Sequence, residues 1–129
     1  WLALQAFKLQ ADTAFWQLAQ RHLDYLLGTN PLGICFVTGF GYHSVRRPHH
    51  RPSLADSIAA PVPGMLAGGP HTGGQDVQEP HNPLPWKCPE YRIDNAPARS
   101  YLDHKCSYAT NEVAINWNAP LAYLSAALE

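Results

Sequence analysis

Proline and glycine are concentrated in one long central stretch of the chain, and this distribution limits the fold more than any other feature. Residues 31–106 hold eleven of the twelve prolines and eight of the nine glycines, and show little periodicity beyond the apolar piece Ile34–Val37. Connections of this length are uncommon in a compact domain unless they carry a site or are disordered. Because Phe36, Met65, Trp86 and other large side chains are spread through the stretch without repeats, we expect ordered loops that carry a site.

Helical patterns flank this stretch. Residues 1 to 27 contain no Pro or Gly and place apolar residues at helical spacing, which predicts one helix ending at Gly28. Near the C-terminus, Asn118 is expected to cap a helix that has Pro120 in its first turn and continues through Leu121 to Leu128. Two helices around so much loop make a weak independent fold, so we expect helices outside this chain to supply the core.

Composition excludes several classes of protein. The 129 residues are 46% hydrophobic, a composition typical of one globular domain. The net charge of -1 does not provide the positive field that nucleic acid binding requires. No apolar run is long enough to span a membrane. The N-terminus also lacks the basic residues followed by an apolar stretch that are typical of a signal peptide. Because the chain begins at Trp1 and opens directly into a helical pattern, we expect it to be part of a longer protein.

The three cysteines, Cys35, Cys88 and Cys106, cannot all pair within one chain. A disulfide between Cys88 and Cys106 is one interpretation. Buried free thiols, which behave as small apolar residues, are the interpretation that we favour from sequence.

Two segments are dense in groups able to do chemistry. The first segment comprises residues 37–41 and 46–53. In its second part, His49 and His50 stand among three arginines and are held by Pro48 and Pro52, so the loop offers donors to a hydroxyl-rich or anionic ligand, or is simply a solvated loop tip. In residues 101–119, Asp103 and Glu112 lie among Tyr101, Tyr108, Ile115 and Trp117. Aromatic surroundings could desolvate a carboxyl and raise its pKa, as a general acid requires, whereas the alternative is a helix-start carboxylate and a surface charge.

The second segment resembles in full a signature motif of glycoside hydrolase family nine. The matching positions are Tyr101, Asp103, Tyr108, Glu112, Ala114, Asn118 and Ala119. The first segment is similar to the family's other motif at Val37, Thr38, Gly41, Pro48, His49 and Arg51. It departs from that motif at Cys35 and His43. Residues 61–70 and Gln75-Asp76 also resemble the family, so the likeness covers almost the whole chain.

The resemblance implies an all-α fold, with residues 1–129 as the C-terminal part of a catalytic domain built as an (α/α) six-hairpin barrel with long ordered active-site loops. It implies hydrolysis of β-1,4-glucosidic bonds of cellulose or related β-glucans with inversion, by an endoglucanase-like enzyme. Exo-acting β-glucosidases and glucosaminidases of the same family are the alternative. The partners implied are the glucan and the missing N-terminal part, in an extracellular or periplasmic setting.

The resemblance also assigns roles to residues. Glu112 is the general acid, Asp103 supports it, and His49 completes the catalytic set, while His49, Arg51 and Tyr108 bind sugar. The family's catalytic base lies in an early Asp-rich motif that no stretch of this chain resembles, so the isolated chain is expected to be inactive. A sugar-contact role for Trp117 is less expected than a core role.

The residues alone leave open two interpretations in which the chain belongs to another class of protein. A non-catalytic sugar-binding module is one. A structural zinc protein is the other, although the spacing fits no compact zinc finger. The candidate zinc ligands are His43, His49, His50, His71, His81, His104, Cys88 and Cys106. No cofactor is expected to be required for catalysis, and the family resemblance is compatible with a structural calcium ion without assigning its ligands.

Overall fold

The computed structural model describes residues 1–78 and 88–129. Helices joined by long loops make up these two ranges, and the loops pair through isolated β-bridges. The helices are α1 (Leu2–Gln10), α2 (Thr13–Leu27), α3 (Arg51–Ala55), α4 (Gln75–Gln78), α5 (Tyr108–Asn111) and α6 (Ile115–Ala127), with a 3-10 turn at Pro97–Arg99. This part of the chain contains no β-strand, which confirms the all-α class. Within the same residues, no helix has the length and apolarity to cross a membrane.

The single N-terminal helix predicted from sequence is wrong, because the chain forms two helices with a break at Ala11. Ala11 adopts a left-handed conformation with φ of 53°, and its N–H closes α1 on the carbonyl of Phe7. Asp12 then caps α2 by accepting a hydrogen bond from Ala14 N at 2.9 Å. The rings of Phe7 and Trp16 lie 5.5 Å apart across the break. Apolar periodicity continues through the break, so it did not reveal that α1 and α2 pack on each other.

The end of α2 is as predicted. Gly28 has a φ of 127°, which residues with a side chain rarely adopt, and its N–H donates to the carbonyls of Asp24 and Tyr25. Asn30 then organises the turn, because its Nδ2 donates to the carbonyls of Tyr25 at 2.8 Å and Ile34 at 2.7 Å. The chain therefore leaves the helix in a fixed direction, toward the buried segment that follows.

The closing helix begins earlier than predicted, and Asn118 does not cap it. α6 starts at Ile115 and contains Pro120 in its interior. The Asn118 side chain instead accepts from Leu66 N at 2.7 Å and donates to the carbonyls of Leu66 at 3.1 Å and Ala114 at 2.8 Å. The Asn118 side chain therefore binds the distant backbone of Leu66 instead of capping the helix, and these bonds attach α6 to the loop at Leu66.

Contrary to expectation, the loops bring a core of their own. Phe36 and Val45 are 1% and 0% exposed, and Leu121 of α6 packs with them. The cluster comprises Cys35, Phe36, Val37, Val45, Leu66, Ala67 and Leu121. A second cluster, formed by Ala3, Leu4, Ala19 and Leu124, joins α1, α2 and α6. The loops are therefore ordered by burial of apolar side chains, and they dock on the C-terminal helix.

Thr38 and Gly41 of the first motif have structural roles. Thr38 is fully buried, donates to Val62 O at 2.6 Å and accepts from Met65 N at 2.9 Å. Gly41 has a φ of 74°, and a Cβ there would lie 3.2 Å from Cβ of Cys35. These residues hold the loop that leads to the histidines.

Cys88 and Cys106 form a disulfide, with their Cα atoms 5.6 Å apart, and Cys35 is buried and free. The preference for three free thiols is therefore wrong. Sequence could not decide this, because the pairing depends on loops that meet only in the folded chain. The bond fastens the segment after residue 88 directly to the start of α5.

Replacing Cys88 with Ser should lower the free energy of unfolding by about 3 kcal/mol, because the crosslink closes a loop of moderate length. Denaturant unfolding of the protein containing this chain measures the loss. Peptide mapping after alkylation under denaturing, non-reducing conditions should find label on Cys35 and none on the other two cysteines. Label on all three before reduction would contradict the bond.

Candidate active site

Glu112 lies where three loop segments meet. Its backbone forms a parallel bridge with His49 on one side, and His49 N donates to Asn111 O at 2.8 Å. On the other side, Gly68 N donates to Glu112 O at 3.0 Å and Gly69 N donates to Thr110 O at 2.7 Å. The main chain at Glu112 is therefore fixed from both sides, and the predicted neighbourhood of His49 and Glu112 is present.

The Asp103 carboxylate ties the histidine loop to this segment. Its Oδ2 accepts from Arg46 N and its Oδ1 from Arg47 N, both at 2.8 Å, and Oδ1 also accepts from Asn111 Nδ2 at 3.2 Å. Hydrogen bonds from amides to a charged acceptor are among the stronger ones in proteins. Both oxygens thus hold the backbone two and three residues before His49.

Asn111 is the residue that sequence reasoning missed. It is fully buried, and its Nδ2 donates to Arg47 O at 2.6 Å as well as to Asp103, while its Oδ1 accepts from the hydroxyl of Tyr101 at 2.6 Å. Together with the bond from His49 N to its carbonyl, these contacts make Asn111 the junction of the site. The one signal in the sequence was its position directly before Glu112.

The Tyr101 side chain faces the interior rather than the acid. Its ring packs edge-on to Phe36 with centroids 5.3 Å apart. Burial, and then the nearby charge of Asp103, raise the pKa of Tyr101 above its usual value. The hydroxyl therefore remains protonated and continues to donate to Asn111.

The two adjacent histidines have different partners. His49 Nδ1 lies 2.6 Å from Lys105 O. Because a carbonyl only accepts, Nδ1 carries the hydrogen, and Nε2 of the neutral ring is left as an acceptor. The His49 ring also meets the edge of Tyr108, with centroids 6.2 Å apart. His50 instead caps α3, where its Nδ1 contacts Ser53 Oγ at 2.9 Å and accepts from Ser53 N.

Glu112 lines a cavity of about 320 Å³. The lining residues are Gly68, His71, Gln75, Tyr108, Ala109, Glu112 and Trp117. Tyr108 is brought to the acid as predicted, and Trp117 lines the same space while its Nε1 donates to Leu66 O at 2.9 Å. His49 and Arg51 are not among the described residues that line it. Arg51 begins α3 with an exposed side chain.

The expected desolvation of Glu112 by its aromatic neighbours is not found among the described residues. Glu112 is exposed, Tyr101 is turned inward, and Ile115 is 87% exposed. Tyr108 and Trp117 alone of the four predicted aromatic or apolar neighbours share its cavity. In this part of the protein, the acid is therefore positioned by its backbone rather than buried.

The described residues do not support the zinc alternative. Cys88 and Cys106 are bonded to each other, and no three His, Cys, Asp or Glu side chains within the two described ranges come together as metal ligands. His81, the remaining candidate in the central stretch, lies outside the described residues. Structural calcium stays a prediction without assigned ligands.

Comparison with known proteins places this geometry in a family. A sequence profile described as "Glycosyl hydrolase family 9" matches residues 1–125. The chain is similar to a xyloglucan-specific endo-β-1,4-glucanase of Bacteroides ovatus, with 45% identity over 111 residues that cover 86% of this chain and 17% of the relative. It is also similar to a cellulose 1,4-β-cellobiosidase of Acetivibrio thermocellus, with 34% identity over 127 residues, which are 96% of this chain and 13% of the relative.

Solved structures agree with the sequence relatives. The fold superimposes on a metagenome-derived glycoside hydrolase family 9 endoglucanase with a TM-score of 0.78 and 36% identity, over 98% of this chain and 20% of that one. The chain thus spans a fifth or less of the length of the proteins that it resembles. Since the profile covers nearly every residue and both signature segments meet at Glu112, the chain belongs to glycosyl hydrolase family 9.

Proposed function

We propose that this chain carries the general acid of an inverting β-1,4-glucan hydrolase, with Glu112 as that acid and the catalytic base outside the chain. The observation that carries the proposal is the fixed pairing of Glu112 with His49, held by Asp103 and Asn111, at the edge of a cavity. An exposed carboxyl on a rigid backbone can meet a glycosidic oxygen, provided that the rest of the protein completes its surroundings.

The substrate class is supported by the names of the relatives. The Bacteroides ovatus protein is named as an endo-acting glucanase on xyloglucan, and the Acetivibrio thermocellus protein is named as a cellobiosidase on cellulose. The superimposed structure is named as an endoglucanase. We therefore propose a β-1,4-linked glucan as the substrate and internal bonds as the point of attack.

Inverting hydrolysis requires a second carboxylate, about 6.5 to 9.5 Å from the acid, to activate water. Asp103 is unsuited to this role, because both of its oxygens already accept from the main chain of Arg46 and Arg47. It acts instead as a positioning residue. His49 Nε2 accepts from a sugar hydroxyl, Arg51 donates to one, and Tyr108 offers a ring face to the pyranose.

The remainder of the catalytic domain is proposed to complete an (α/α) barrel around this part. An apolar groove between α2 and α6 supports that idea, because helices outside the chain would cover it. Its lining includes Trp1, His22, Tyr25, Leu26, Leu66, Trp117, Pro120, Leu121 and Leu124. The disulfide supports an oxidising location such as the cell exterior or the periplasm.

Glu112→Gln in the protein that contains this chain should reduce kcat on a soluble β-1,4-glucan by about 10²- to 10⁴-fold, because the leaving oxygen loses its proton donor. Release of reducing sugar measures the rate, and calorimetry with cellopentaose should show that binding survives. Glu129→Gln, a change at another exposed glutamate, is the matched control and should leave kcat unchanged.

Two outcomes would contradict this assignment. Full turnover by the Glu112→Gln variant would remove Glu112 as the acid. Hydrolysis by the isolated 129-residue chain would remove the claim that the base lies elsewhere.

Asp103→Asn should lower kcat by about 10- to 100-fold, because the loss of one carboxylate oxygen frees an amide of the histidine loop and displaces the groups that it carries. The pH profile of kcat/KM should keep its acidic limb, since the base is a different residue. Asp94→Asn, at an exposed aspartate, serves as the control. If the acidic limb disappears in the Asp103 variant alone, Asp103 is the base and the proposed role is wrong.

A further inference from the structure

One wall of the cavity beside Glu112 is polar, and the residues that form it lie outside both signature motifs. His71 and Gln75 line the cavity together with Tyr108 and Trp117, and His71 Nε2 lies 2.8 Å from Gln75 Oε1. These two side chains, the His71–Gln75 pair, close a short turn between Pro70 and α4. They are polar groups beside the proposed acid to which no role has yet been given.

The turn is shaped to bring this pair together. A Cβ on Gly73 would collide with His71 Nε2 and would lie 2.5 Å from Gln75 Oε1, so a larger residue there would require these two side chains to move. Gly74 has a φ of 61°, and a Cβ there would lie 2.5 Å from Arg92 Cδ. Two consecutive glycines therefore permit a tight turn in which residues four positions apart meet.

Both ends of the turn are anchored to the segment that carries the acid. His71 N donates to Ser100 O at 2.9 Å. At the other end, the carboxylate of Asp76 is 2% exposed and accepts from Tyr91 OH and from Ser107 Oγ, each at 2.5 Å. Ser107 directly precedes α5, which leads to Glu112. The wall and the acid are thus held in one hydrogen-bonded unit.

Tyr91 keeps its hydroxyl hydrogen in this arrangement. Burial, followed by the hydrogen bond to Asp76 and its charge, raises the pKa of Tyr91 above its usual value. The hydroxyl therefore remains available to donate to Asp76, and this bond anchors the turn that carries the His71–Gln75 pair.

The chemistry of the pair suits a neutral sugar. Because the amide oxygen of Gln75 only accepts, His71 Nε2 donates the hydrogen, which leaves Nδ1 of the neutral ring as an acceptor. Gln75 Nε2 retains two N–H donors. Sugar hydroxyls both donate and accept, so neighbouring hydroxyls can use both functions, while the rings of Tyr108 and Trp117 offer faces to the apolar side of a pyranose.

We propose that the His71–Gln75 pair binds hydroxyl groups of a sugar unit next to the glycosidic oxygen that Glu112 protonates, and that it contributes to affinity for β-1,4-glucan. This inference rests on the proposed function, since it takes the Glu112 cavity as the place where the glucan binds. A purely local role, in which the pair only braces the glycine turn, would change folding stability without changing affinity for sugar.

The test uses the protein that contains this chain with Glu112→Gln, so that cellopentaose binds without being cleaved. His71→Ala and Gln75→Ala should each weaken cellopentaose binding about 3- to 10-fold in calorimetry, the loss expected for a neutral hydrogen bond or two. With Glu112 intact, the same changes should raise KM by a similar factor. His43→Ala, at an exposed histidine that does not line the cavity, should leave binding unchanged.

Gln75→Glu distinguishes a role in sugar binding from a role in supporting the glycine turn. Glutamate keeps an oxygen that accepts from His71 Nε2, so the turn and the melting temperature should be preserved, but it removes the two amide donors. Weaker cellopentaose binding at an unchanged melting temperature is the expected result. Unchanged affinity in His71→Ala, Gln75→Ala and Gln75→Glu would overturn the inference, whether or not the melting temperature falls. Turnover by Glu112→Gln would instead contradict the proposed function, so the two failures are distinguishable.

Discussion

The site depends on a carboxylate that is used as a backbone clamp. Asp103 accepts from the amides of Arg46 and Arg47, and Asn111 closes the same junction through Arg47 O. Removal of either side chain would take these partners away from the main chain of the histidine loop. Because His49 follows this clamp and Glu112 follows Asn111, two segments more than fifty residues apart in sequence are held in register. Loops without strands thus obtain the rigidity that a catalytic acid requires.

A second tier of contacts extends this rigidity to the cavity wall. The disulfide fixes Cys106, Ser107 lies beside it, and the buried Asp76 joins Ser107 to the start of α4. The glycine turn, the segment around Glu112 and α5 are therefore joined by hydrogen bonds and by the disulfide. Apolar burial completes the support, because Leu121 of α6 packs on the loop cluster around Phe36. The result is a loop-built surface with one core beneath it.

The sequence predicted those features that depend on local chemistry or on a spaced motif. Gly28 ends α2 because few other residues adopt its φ. The family resemblance implied that His49, Asp103 and Glu112 belong to one site, and a β-bridge and hydrogen bonds join their segments. Prediction from sequence failed where a distant partner decides the outcome. Asn118 has the composition of a cap but pairs with Leu66, and Cys88 finds Cys106 only through folded loops. Asn111 was missed for the same reason, since two of its partners, Arg47 and His49, come from the other segment. The break at Ala11 escaped notice because the apolar pattern continues across it.

The central claim is that this clamp presents Glu112 to a glycosidic oxygen. A crystal structure of the protein that contains this chain, with Glu112→Gln and bound to cellopentaose, tests it most directly. The account predicts that the side chain at position 112 lies within hydrogen-bond distance, about 2.6 to 3.2 Å, of a bridging oxygen between two glucose units. A cellopentaose chain whose bridging oxygens all lie out of reach of position 112, with another carboxyl group beside the bond, would contradict it.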